Sequence, residues 1–113
     1  MKVQTAEWNK IVRDNIPEII KESGGIVETR VVGDNAEFDQ LIRQKLAEEV
    51  VEIQQSDAEH LLEEIGDLET VVDTLLQIHG FTRVELKTQQ DEKDKKRGKF
   101  IKRIFLIRTK GEN

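Results

Sequence analysis

Between Asp34 and Gly80 the chain carries two apolar stripes of helical period, each bracketed by residues that start or stop a helix. That pattern leaves it little choice but a helical hairpin. Asp34 with Glu37, and Ser56 with Glu59, have the spacing of capping boxes, in which an N-cap oxygen and a carboxylate three residues later satisfy the first free N–H groups. The first long helix is expected to run to about Gln54. The second closes at Gly80, the residue type that accepts the left-handed conformation past a helix end. A very short turn near Gln55 makes the two helices antiparallel neighbours. Upstream, Asn15 to Glu22 reads as a short helix with Pro17 in its first turn and Gly24-Gly25 beyond it. Ile26 to Val32 is β-branched and reads as an edge strand or an extended connection. Downstream, Thr82 and Glu85 form a third box and open a helix into a Lys-rich stretch. Gly98 stops it, and Phe100 to Arg108 (FIKRIFLIR) reads as a terminal strand. The 113 residues fit one domain, 1–113, with an all-α fold and a short C-terminal β segment.

Placing residues at about 100° per position separates ordinary surface acids from anomalous ones. With Glu48 at zero, Leu41, Phe38, Ile42, Ile53 and Leu46 span roughly 20° to 160°. Glu52 and Glu49 fall inside that stripe and Glu48 on its edge. On the second helix, with Glu64 at zero, Leu68, Leu75, Val71, Ile78, Leu61, Val72 and Ile65 span roughly −40° to 100°. Glu64 therefore lies within the apolar face and Asp67 at its border, while Glu59, Glu63 and Asp73 fall on the opposite side.

Several carboxylates on apolar faces repel one another unless they are protonated, paired with cations or bound to a metal. The two helices offer only Arg43 and Lys45 as internal partners. An all-oxygen set suits a hard cation, Mg²⁺ or alternatively Mn²⁺. The competing reading is a solvent groove, or pairing with Lys and Arg from elsewhere. A ferritin-like di-iron centre needs Glu-x-x-His elements, and neither His60 nor His79 completes one. His60 reads as a groove or core-edge residue and His79 as an aid to helix capping. The absence of Cys excludes thiolate nucleophiles and Cys-ligated metals.

Charge is distributed unevenly. From Asp34 to Asp73 there are thirteen acidic residues against Arg43 and Lys45; from Lys87 to Arg103 there are eight basic residues against Asp91, Glu92 and Asp94. Such a balance suits a ligand that brings cations and anions together. Lys93 and Arg97, four apart, share a helix face and can meet one polyphosphate, with Lys96 beside them; Lys95 and Lys99 read as solvated. Lys10 and Arg13 are further phosphate-contact candidates. The basic stretch lacks interleaved aromatics, so nucleic acid is not the expected partner. Trp8 reads as a packing anchor rather than a stacking platform. The first ten residues are polar and no apolar run approaches membrane-spanning length, so the expectation is a soluble, cytoplasmic protein without membrane partners.

Three segments together carry a family resemblance. Glu48-Glu49-Val50-Val51-Glu52, followed after 11 residues by Glu64-Ile65-Gly66-Asp67, resembles the EExxE…ExxD signature of the all-α nucleoside triphosphate pyrophosphohydrolases. That superfamily includes MazG-like enzymes, dimeric dUTPases and phosphoribosyl-ATP pyrophosphohydrolases. Asn9-Lys10-Ile11-Val12-Arg13-Asp14-Asn15-Ile16-Pro17-Glu18 resembles the opening of the phosphoribosyl-ATP pyrophosphohydrolase-like branch. Lys93-x-x-Lys96-Arg97-Gly98-Lys99-Phe100 resembles that branch's closing segment.

The resemblance implies a MazG-like four-helix packing completed by dimerisation, and a nucleoside triphosphate cleaved by water at its α–β linkage to a monophosphate and pyrophosphate. It implies Glu49, Glu52, Glu64 and Asp67 as Mg²⁺ ligands, with Glu48 a further ligand or a group that orients the water. Two other readings stay open: phosphoribosyl-ATP hydrolysis in histidine biosynthesis, and a catalytically silent helical module that binds nucleotide or metal. The broad apolar faces of the hairpin make a homodimer or homotetramer the expected assembly.

Overall fold

The computed structural model describes residues 5–111 and contains four helices: α1 (Ile16–Glu22), α2 (Asn35–Gln55), α3 (Leu61–Ile78) and α4 (Arg83–Arg97). Part of the polar N-terminal stretch lies outside the described residues. The chain divides into two compact units, Met1–Gly80 and Phe81–Asn113. No helix is long and apolar enough to cross a membrane.

The first unit is organised by α2 packed on α3. Pro17 stands in the first turn of α1, where no intrahelical N–H is needed. Gly24 beyond it has φ +89°, a conformation that favours glycine. At the start of α2 the Asp34 carboxylate accepts the Ala36 N–H at 3.1 Å. The expected box does not close. Glu37 instead takes a two-pronged bond from Arg30, at 3.1 and 2.8 Å, because a guanidinium fork competes well for a carboxylate.

The second expected box also resolves differently. Ser56 ends α2 rather than starting α3, its Oγ donating to the Ile53 carbonyl at 2.9 Å. Asp57 takes over at the next helix, accepting the His60 N–H at 2.9 Å, and α3 begins only at Leu61. The connection is therefore longer than the sequence suggests. At the far end, Gly80 follows α3 with φ +72°, as its position predicts.

The hydrophobic core is thin. Among the described residues only Ile42 and Val71 are buried apolar side chains, and the remaining stripe residues of α2 and α3 are half-buried or exposed. Trp8 is 71% exposed, against the expected anchoring role, with Lys10 Nζ 5.1 Å from its ring centroid.

In the second unit the capping box of α4 is complete. Thr82 Oγ1 accepts from the Glu85 N–H, and the Glu85 carboxylate accepts from the Thr82 N–H, both at 3.1 Å. Gly98, at φ +81°, ends the helix. The expected terminal strand does not form. The Arg103 N–H turns back to the Phe100 carbonyl at 3.3 Å, and Arg103 itself has φ +56°. A strand needs a ladder partner as well as β-branched residues, and the described residues contain no strand. Ile26 to Val32 is likewise a connection without a ladder.

Candidate metal centre

Helical period places Glu49 and Glu52 one turn apart on α2, and Glu64 and Asp67 one turn apart on α3. Because the two helices pack side by side, these four side chains converge. Each offers a carboxylate oxygen, and all four atoms lie within 4.8 Å of one another. The four acids set on apolar faces by periodicity are thus the four that the fold brings together. Glu48 stands outside the group, with Oε2 3.4 Å from Lys45 Nζ.

The surroundings are unequal. Glu49 is only 5% exposed, and one of its oxygens, Oε2, is buried without a hydrogen-bond donor; the same holds for Oε2 of Glu64. Glu52 is exposed and Asp67 half-buried. Two cations reach the cluster from outside its centre. Lys45 Nζ lies 3.7 Å from Glu49 Oε1, and Arg13 Nη2 bonds Asp67 Oδ1 at 2.9 Å. Arg43 is taken by Asp39, at 2.8 Å.

Burial, with the Glu52 charge next in size, pushes the Glu49 carboxyl above its ordinary value. Glu64 is raised chiefly by a hydrogen bond shared with Glu52, and then by burial and the neighbouring acids. A proton can link Glu52 to either neighbour. Once all are ionised those contacts turn repulsive, and the two Oε2 atoms are left without donors. Two like charges 4 Å apart at intermediate dielectric repel by about 4 kcal/mol. An exposed ion pair such as Arg13–Asp67 returns at most about 1 kcal/mol. Lys45 and Arg13 therefore do not balance four ionised carboxylates, and either a proton or a bound cation relieves the repulsion. Four oxygen donors, no sulfur or nitrogen, and buried Glu49 and Glu64 oxygens without a donor fit a hard divalent cation.

Beside the cluster, Glu52, Gln55, Ser56, Asp57, His60 and Glu64 line an open cleft of about 280 Å³. His60 stands at this groove, its ring Nδ1 2.7 Å from Asp57 Oδ1. Gln55 and Asp57 have no helical period to mark them, because they sit where α2 ends. A second grouping, Asp57, Glu59 and His60, is exposed, and its short contacts are those of the turn that leads into α3. His79 closes α3 and also meets α2, with Nε2 2.6 Å from Asp39 Oδ1.

In the second unit, Lys93, Lys96 and Arg97 line another open cleft, of about 480 Å³, with Gln89, Gln90 and Glu92. None of the three cations has an ion-pair partner among the described residues. By contrast, Lys87 is held by Asp91 at 3.0 Å, and Lys99 lies 3.9 Å from Asp94. Lys10 lies against Trp8, and Arg13 is engaged by Asp67. Comparison of the chain with protein-family models, with curated proteins and with solved structures gives no match.

Proposed function

We propose that this protein is a Mg²⁺-dependent nucleoside triphosphate pyrophosphohydrolase of the all-α, MazG-like kind, with Mn²⁺ as an alternative cation. The observation that carries the reading is the buried Glu49 side chain, with one oxygen lacking a donor, in a group with three further carboxylates. Such an arrangement is unfavourable unless the chain gains something from it, and cation binding is what four oxygen donors offer. In this reading Glu49, Glu52, Glu64 and Asp67 hold the cation. A bound divalent ion supplies phosphate charge neutralisation and a water of lowered pKa. Glu48, beside the cluster, orients that water. Lys93, Lys96 and Arg97 contribute unpaired positive charge toward the polyphosphate, with Lys10 as a weaker contact. Water adds at the α–β linkage, the anhydride bond breaks, and a monophosphate and pyrophosphate leave. This chemistry needs positioned charge rather than a protein nucleophile, in keeping with a chain that has no Cys.

The direct test incubates the full chain with a panel of nucleoside triphosphates and Mg²⁺, and measures nucleotide and phosphate products. Equimolar monophosphate and pyrophosphate are expected. Orthophosphate with a diphosphate would place cleavage at the wrong linkage. No product from any triphosphate would leave a binding module.

The reading extends to a homodimer. Two buried apolar residues among those described make a meagre core, while Leu61, Ile65, Val50 and Val51 remain between 38% and 47% exposed on α2 and α3. A second hairpin would cover these by two-fold symmetry and complete a four-helix core. Light scattering at micromolar concentration should give at least twice the chain mass, and a monomer would refute the extension.

A further inference from the structure

The contact between Arg13 and Asp67 joins residues 54 apart in the chain, and nothing in the hairpin itself requires it. Arg13 is held at the turn that opens α1, where its carbonyl accepts the Ile16 N–H at 3.1 Å. Its backbone is tied into that turn, while its long side chain has other rotamers within reach. The guanidinium reaches Asp67 through Nη2 alone, and its side chain is 55% exposed against 36% for Asp67. The rest of its five-donor fork makes no further hydrogen bond among the described residues. Asp67 is half-buried and, among the described residues, is the only one of the four with a guanidinium on it.

From this geometry we infer that Arg13 changes partner with the state of the carboxylate cluster. It lends its charge to Asp67 while the cluster lacks a divalent ion, and it passes to a phosphate group once that ion has taken Asp67. The inference rests on the divalent-cation reading of the same carboxylates, which has its own support in the buried orphan oxygen of Glu49. When a dication arrives at Asp67, a guanidinium 2.9 Å away is repelled, and the exchange costs no more than an exposed ion pair. The released fork suits a phosphate, because it can donate two parallel hydrogen bonds to it. The consequence is an order of events: the cation first, then the anion, with one side chain reporting the first to the second.

The test is titration calorimetry on the full chain, with Mg²⁺ alone and then with inorganic pyrophosphate at saturating Mg²⁺. Arg13→Gln should bind Mg²⁺ about two- to fivefold more tightly, the scale of an exposed ion pair. It should bind pyrophosphate about tenfold more weakly. Opposite signs are the signature, since mere loosening of the fold would weaken both. Lys21→Gln removes the same charge from α1 and should move neither affinity by twofold. A nitrogen-detected NMR signal of the Arg13 side chain in the unmutated protein should also shift as Mg²⁺ is added. If the wild type binds Mg²⁺ but Arg13→Gln matches it, or if the two affinities move in the same direction, the exchange is wrong while the cation site stands. If the wild type binds no Mg²⁺, the cation reading falls and the exchange with it.

Discussion

Glu64→Gln should cut Mg²⁺-dependent pyrophosphate release by at least about 10²-fold, the scale of losing one group that stabilises developing charge. Its neighbour Glu63→Gln should leave the rate nearly unchanged. The two positions are adjacent in sequence, but Glu64 belongs to the converging carboxylates and Glu63 is exposed outside them. The same pair separates stability effects. Glu49 and Glu64 are raised above the usual Glu value of 4.5, so their protonated forms are favoured by folding. That contribution is complete below the unfolded value and is lost as pH rises through the raised folded values. The metal-free protein should accordingly melt at lower temperature as pH climbs from about 4.5 toward neutrality. Glu37, Asp39 and Asp57 are lowered by their hydrogen-bonded partners, Arg30, Arg43 and His60 respectively. Their contributions are already complete in that window and fade only in stronger acid. Glu64→Gln should flatten the decline. The difference between the two chains isolates the cluster from every other ionisable group, which both chains retain. On the proposed reading Mg²⁺ takes the ionised carboxylates, so the melting-temperature gain it gives the wild type should grow with pH and shrink in Glu64→Gln. Identical behaviour of the Glu63 and Glu64 variants, or no gain from Mg²⁺, would refute the site.

The double change Lys93→Ala with Arg97→Ala should lower kcat/KM by about 10²-fold through loss of polyphosphate contacts. Its melting curve should be almost that of the parent. Both side chains are exposed on α4 and lack ion-pair partners among the described residues, so truncation removes charge without opening a cavity. Lys87→Ala is the comparison: it breaks a surface pair with Asp91 at 3.0 Å on the same helix, and should have little effect on rate. Unchanged activity in the double variant would return this stretch to solvated surface charge.

The helices and the carboxylate cluster were legible because both follow from a single period. Once α2 and α3 are helical and antiparallel, acids within their apolar stripes must face one another, and Glu49, Glu52, Glu64 and Asp67 do. What escaped were decisions made by competition between partners. Ser56 and Asp57 are both good capping residues, and only the path of the chain assigns the first to the end of α2 and the second to the start of α3. Glu37 has the spacing of a capping box, yet Arg30 takes it from outside the helix. Phe100 to Arg108 has the composition of a strand, but composition supplies no neighbouring ladder, and a turn at Arg103 interrupts the run. The link from Arg13 to Asp67 could not be read at all. Its existence depends on where the turn before α1 sets down one long side chain.

Glu49 has the weight of a keystone: with Ile42 and Val71 it is one of the three most deeply buried side chains among the described residues. In most enzymes the acids that do chemistry hang from a scaffold that would stand without them; on the proposed reading, one of them here is part of the buried core. A library of variants sorted for heat resistance alone would therefore enrich apolar replacements at Glu49, since an aliphatic side chain fills that space without an orphaned oxygen. Such a lineage would drift toward proteins that fold better and do less. Sorting the same library in the presence of the cation reverses the preference, because the acid then becomes the stabilising choice. Robustness and chemistry in this chain are traded at one position, and the ion in the surrounding medium decides which is favoured.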